Sequence, residues 1–212
     1  ALSGDGTDDG ANNTAVGYES LSANCGSSNT ALGYQSGLVL TGEENVLIGN
    51  VAGLTLSDAD QNVAIGSAAL YSDAKGDGSV AIGTSALQSQ QHSSVTTTKS
   101  TAIGHKAGMF VSNGIGNTFL GYQSGLGITG TRLEGDNNTA VGTDAGLLLQ
   151  GAANGNTLIG GLAGDAITTG VSNVMLGYAS VASAVDVTAE ITIGPGVTGS
   201  GGSTVTIGSG AG

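Results

Sequence analysis

The phrase NTALGYQSG at residues 29–37 returns at 117–125 as NTFLGYQSG, with eight of nine letters unchanged. No other feature constrains the fold as tightly, because self-similarity along a chain marks a repeat architecture before any single motif is weighed. With the glycine after the aliphatic letter as anchor, twelve units follow one another: Gly17, Gly33, Gly49, Gly66, Gly83, Gly104, Gly121, Gly142, Gly160, Gly177, Gly194 and Gly208. Their spacings are 16, 16, 17, 17, 21, 17, 21, 18, 17, 17 and 14. The residue before each anchor is Val, Ile or Leu, and the residue three before is Thr, Val or Ile. Four before, the residue is polar in every unit and Asn in eight: Asn13, Asn29, Asn45, Asn62, Asn117, Asn138, Asn156 and Asn173. Ala or Ser stands three after the anchor in eleven units.

A short β-branched and aliphatic run closed by glycine reads as a strand, too short and too regular for a helix. Spacers such as SDAKGDGS (72–79) and TGEE (41–44) read as turns. One such strand cannot bury its own apolar face, whereas a stack of them can. The expected fold is therefore all-β, a parallel β-solenoid of about twelve rungs over residues 12–212, preceded by an acidic turn segment at 1–11. With strands about 4.8 Å apart, the stack predicts a rod roughly 50–60 Å long.

Period 2 divides each strand into two faces. The positions three and one before the anchor share a face, and we expect their Thr, Val, Ile and Leu to line the inside of the coil. The position two before points the other way and is apolar in ten of twelve units. Monomers avoid exposing such a stripe. The expectation is that it packs against another chain, with Leu47, Ala64, Phe119, Leu158 and Met175 as interchain residues. Small residues allow close backbone approach near an axis, which favours a homotrimer, although the sequence does not force three copies over two.

Composition narrows the partners. Four basic residues against sixteen acidic ones give a net charge of −12, without the basic footprint that nucleic acid or an anionic membrane surface requires. No apolar run approaches the roughly 20 residues that span a bilayer, so membrane insertion is not expected. The opening ALSGDGTDDG has neither the basic nor the apolar region of a signal peptide. Forty glycines without a G-x-y period and with one proline exclude collagen. Cys25 is alone and reads as a small buried thiol.

The phrases SVAIGTSAL (79–87), NVAIGSAAL (62–70) and STAIGHKAG (100–108) resemble the head repeat of trimeric autotransporter adhesins, and NTALGYQSG and NTFLGYQSG resemble repeats of phage tail fibres. The resemblance covers residues 12 to about 194, and 204–208 more loosely. It implies a left-handed parallel β-roll in three intertwined or side-by-side chains, on a virion or bacterial cell surface. Adhesin heads keep a shorter, more uniform unit, whereas most units here take 16 to 18 residues and two take 21. That favours a tail-fibre shaft or head with decorated loops. An adhesin head is the second expectation, and a self-assembling extracellular filament without a receptor the third.

Individual residues add less. The repeated Asn either stack as a hydrogen-bonded ladder or close their own turns. His92, in a spacer, and His105 read as exposed loop histidines. Asp5, Asp8 and Asp9 have the oxygen density a Ca²⁺ site wants, yet fit neither calcium-loop motif, and solvated turns explain them as well. Tyr18, Tyr34, Tyr122 and Tyr178 follow anchor glycines and either cover the corner of the roll or face a receptor. The long spacers 88–99 and 126–137, carrying His92 and Arg132, are the better receptor-facing segments, since insertions in repeat proteins gather on one face. A host surface glycan or protein is the partner this suggests. No triad, carboxylate pair or phosphate loop is recognisable, so no enzyme activity and no other cofactor is expected. Ice binding needs ranks of Thr on an exposed face, and with Thr assigned inward it is not favoured.

Overall fold

The computed structural model describes residues 10–209, which contain strands and turns but no helix. The chain forms two compact units, Ala1–His105 and Lys106–Gly212. In the first, β1 (Thr14–Val16), β2 (Thr30–Leu32), β3 (Val46–Ile48), β4 (Val63–Ile65), β6 (Val80–Ile82) and β8 (Thr101–Ile103) form one parallel ladder. Two shorter strands, β5 (Gly76–Asp77) and β7 (Thr96–Thr97), pair beside it. In the second unit the ladder comprises β9 (Thr118–Leu120), β10 (Thr139–Val141), β11 (Thr157–Ile159), β12 (Val174–Leu176), β13 (Ile191–Ile193) and β14 (Val205–Ile207). Each repeat contributes one strand, and like positions pair with like: Thr14 with Thr30, Ala15 with Ala31, Val16 with Leu32. The fold is the parallel β-solenoid that the repeat predicts.

The anchor glycine makes the coil possible. Gly66 has φ of +136°, a backbone region closed to side chains, and a Cβ there would lie 2.6 Å from the carbonyl carbon and oxygen of Gly83. Successive rungs touch backbone to backbone at this corner, so no other residue fits. Further left-handed residues flank each anchor, such as Gln61 (φ 58°), Ala68 (φ 55°) and Leu70 (φ 49°). Each carries a steric cost of about 1–2 kcal/mol. The inter-rung hydrogen bonds hold them in place, for example Ala68 N–H to Asn50 O at 2.9 Å and Leu70 N–H to Ala86 O at 3.0 Å.

The two strand faces are the reverse of the expectation. Leu47, Ala64, Phe119, Leu158 and Met175, expected between chains, are 0% exposed inside their own coil. The flanking Thr, Val, Ile and Leu point outward: Val16, Leu32, Leu120 and Leu176 are exposed. Alternation separates two sets of side chains but does not say which set is inside. Width decides it, because a narrow coil takes one inward side chain per three-residue strand and not two. The interior is completed by the small residue three after the anchor, such as Ala69 and Ser124, both fully buried. A larger apolar residue closes the far wall, either four after the anchor (Leu21, Leu70, Leu87) or seven after it (Leu40, Leu56, Leu149, Ile167).

Candidate functional site

Four features have the geometry to recognise something or to hold a recognising surface in place. The first is the outward face of each ladder. In the second unit it carries Thr118, Thr139, Thr157, Val174, Ile191 and Val205 in one rank and Leu120, Val141, Ile159, Leu176, Ile193 and Ile207 in the other. The first unit carries equivalent ranks, with Ile48, Ile65 and Ile82 half-buried and Ile103 exposed. No charged residue interrupts either rank, so each unit presents one rank of aliphatic side chains beside one of Thr, Val and Ile. The Thr ranks are outward too, so the inward placement of Thr that told against ice binding does not hold.

The second feature is the Asn ladder. Asn45 Oδ1 accepts the backbone N–H of Asn62 at 2.9 Å, and Asn62 Oδ1 accepts that of Ser79 at 2.8 Å. Asn62 Nδ2 donates to Gly76 O at 2.8 Å and to Asn45 Oδ1 at 3.2 Å. The same pattern joins Asn117, Asn138, Asn156 and Asn173 in the second unit. From Asn29 onward these carboxamides are fully buried, and each satisfies backbone groups on a neighbouring rung. They are structural, and they hold the strands at one register. Glu190 occupies the same position after Asn173; its fully buried carboxylate accepts from Ser183 N–H at 2.9 Å and Gly201 N–H at 2.7 Å. Sequence reasoning placed Glu190 among the polar residues of the repeat without seeing this role.

The third feature corrects an expectation. His92 is not an exposed, receptor-facing histidine: it is 6% exposed, and its Nδ1 lies 3.1 Å from Oδ1 of the fully buried Asp73. The spacer that carries it folds back through β7, whose Thr96 N–H donates to Lys75 O, so the ring turns into the unit. His105 is exposed, as expected. The tyrosines stay on the surface: Tyr18, Tyr34, Tyr122 and Tyr178 are each between 49% and 64% exposed. Tyr18 and Tyr34 stack on successive rungs with centroids 5.4 Å apart and planes 10° from parallel. The hydrogen bond and negative charge of neighbouring Glu19 raise the Tyr18 phenol above its ordinary pKa.

The fourth feature is a recess of about 340 Å³ in the second unit, lined by Ser112, Thr129, Gly130, Thr131, Arg132, Glu134 and Gly151. Its floor is fixed by backbone pairing. Leu133 bridges both Val111 and Gly151, its N–H donates to Phe110 O at 3.0 Å, and its side chain is fully buried. Arg132 and Glu134, on either side, therefore turn away from the interior by strand alternation. Asp5, Asp8 and Asp9 lie outside the described residues, and no cluster of three or more His, Cys, Asp or Glu suited to a metal occurs among those described. No helix among the described residues is long and apolar enough to cross a membrane. No family model matches this chain, and the searches of curated proteins and of solved structures likewise return no match.

Proposed function

We propose that this chain is a structural and adhesive component of an extracellular fibre, a tail-fibre shaft or head that assembles as a parallel homotrimer. The observation that carries the reading is the outward face of each ladder: two ranks of β-branched and aliphatic side chains that no charged residue interrupts. A contiguous aliphatic rank of this kind is one that soluble monomers tend to cover. A second copy of the same face covers it without any new sequence feature, and like-to-like rungs suit a parallel assembly. Three chains present three sets of loops, so weak contacts to a host surface add into avidity. The long spacers and uneven repeat length favour the tail fibre over an adhesin head, which would use the same face.

The test is the solution mass of the chain by light scattering or mass photometry. The reading expects three times the 20.3 kDa chain mass. A stable single chain contradicts it. The outward Thr ranks favour a second reading, an ice-binding face; thermal hysteresis from a single-chain species would select it.

A further inference from the structure

We propose that the recess around Arg132 is a binding subsite for a sugar that bears a carboxylate. The inference rests on the adhesive reading above, and it names the class of ligand that one face would take. Arg132 is the chain's single arginine, in a molecule of net charge −12. The residue is half-buried, yet among the described residues no hydrogen bond or ion pair engages the guanidinium, although Glu134 lines the same recess. The hydroxyls of Ser112, Thr129 and Thr131 and the Glu134 carboxylate are likewise not committed to protein partners. These unspent groups converge on one recess of about 340 Å³, at the small end of the range for ligand clefts.

The backbone beneath them is not a loose loop. Arg132 O accepts from Gly151 N–H at 2.9 Å, Glu134 N–H donates to Gly151 O at 2.8 Å, and Ser112 N–H donates to Leu133 O at 2.8 Å. Three successive rungs thus clamp the segment, so ordering costs on binding are small. A guanidinium offers a planar fork that matches a carboxylate with two parallel hydrogen bonds. The Thr and Ser hydroxyls serve ring hydroxyls as donors or acceptors, and Glu134, which would repel the acid, serves as acceptor for the opposite edge of the sugar. A neutral sugar would leave the guanidinium without its anion, and a bare anion would leave Glu134 and the hydroxyls idle.

Saturation-transfer NMR on the full chain tests this with galacturonate, glucuronate and N-acetylneuraminate against galactose. At least one acid should saturate and bind about tenfold more tightly than galactose, consistent with one charge-assisted fork. Arg132→Ala should abolish the difference, Arg132→Lys should restore part of it, and Glu134→Gln should tighten the acid. Arg132 and Glu134 are outward-facing, so an unchanged melting temperature confirms that the variants fold. No acid binding at any accessible concentration overturns the proposal, as does equal binding of galactose, indifference to Arg132→Ala, or displacement by inorganic sulfate alone as effective as by the sugar. The measurement reads the recess on one chain or on three, so its failure is distinct from failure of the assembly.

Discussion

The two units wind the same coil around differently distributed cores. In the first, the inward strand position is Ala in five of six rungs: Ala15, Ala31, Ala64, Ala81 and Ala102, with Leu47 the exception. In the second it is Phe119, Ala140, Leu158, Met175, Thr192 and Thr206. In six rungs the residue six further on compensates. Ala15, Ala64 and Ala81 are followed by Leu21, Leu70 and Leu87, whereas Leu47, Phe119 and Leu158 are followed by Gly53, Gly125 and Gly164. A Cβ on Gly164 would lie 2.7 Å from Leu158 Cδ2, and one on Gly53 2.9 Å from Leu47 Cδ2. In these rungs the bulk sits at one wall or the other, as close packing favours. Ala31, Ala102 and Ala140 are instead followed by Gly37, Gly108 and Gly146, and their rungs are filled by the buried Leu40, Val111 and Leu149. What does not vary is the corner: from Gly17 to Gly194 the anchor φ stays between 130° and 145° in both units.

That contrast can be broken most forcefully at the shared corner. Gly66→Ala in the first unit and Gly142→Ala in the second should each cost more than about 4 kcal/mol, as a clash and a forbidden backbone combine. A Cβ on Gly142 would meet the Gly160 carbonyl at 2.6 Å, as one on Gly66 meets Gly83. Thermal or urea unfolding should show equal losses in the two variants. A mild effect in either would mean that the corner is not what unites them.

The core comparison is sharpened by exchange. Phe119→Ala should cost about 3–5 kcal/mol, the usual range for emptying a fully buried aromatic site. Adding Gly125→Leu should recover at least about 1 kcal/mol, because Leu21 and Leu70 already occupy the equivalent backbone conformation in the first unit. A double variant no more stable than the single one would show that the far wall cannot stand in for the near one.

A smaller contrast lies in the polar ladder. Where the first unit reaches Ser79 the carboxamide is lost, and Thr98 and Gln90 from the long spacer supply hydrogen bonds to the serine hydroxyl instead. Asn62→Ala and Asn138→Ala should each cost about 1–3 kcal/mol, since buried backbone groups lose their partners. Ser79→Ala should cost less than either. Equal losses at all three positions would make the serine a full member of the ladder.

The position of each strand and its register were legible in the sequence, because one anchor and its polar neighbour recur in every unit. The sidedness was not, because alternation is symmetric between inside and outside. The pairing of Phe119 with Gly125, and of Ala64 with Leu70, was a partial signal of it, since residues sharing an enclosed space trade volume, but Ala31 with Gly37 and Ala140 with Gly146 break the pattern. The burial of His92 was hidden for another reason. It depends on the two-residue strands β5 and β7, too short to have a period, and on Asp73 nineteen residues earlier. The Arg132 recess was legible only as a long spacer with one basic residue; that Leu133 pins it to its neighbours needs the third dimension.

Adjacent substitutions on β4 test the central claim most directly, because Ala64 is fully buried and Ile65 faces out. Ile65→Lys should leave the circular dichroism of the folded chain intact while reducing the solution mass from the proposed three chains to one, and Ala64→Lys should abolish folding. An Ile65→Lys variant that keeps the trimeric mass, or an Ala64→Lys variant that folds as well as it does, would contradict the account.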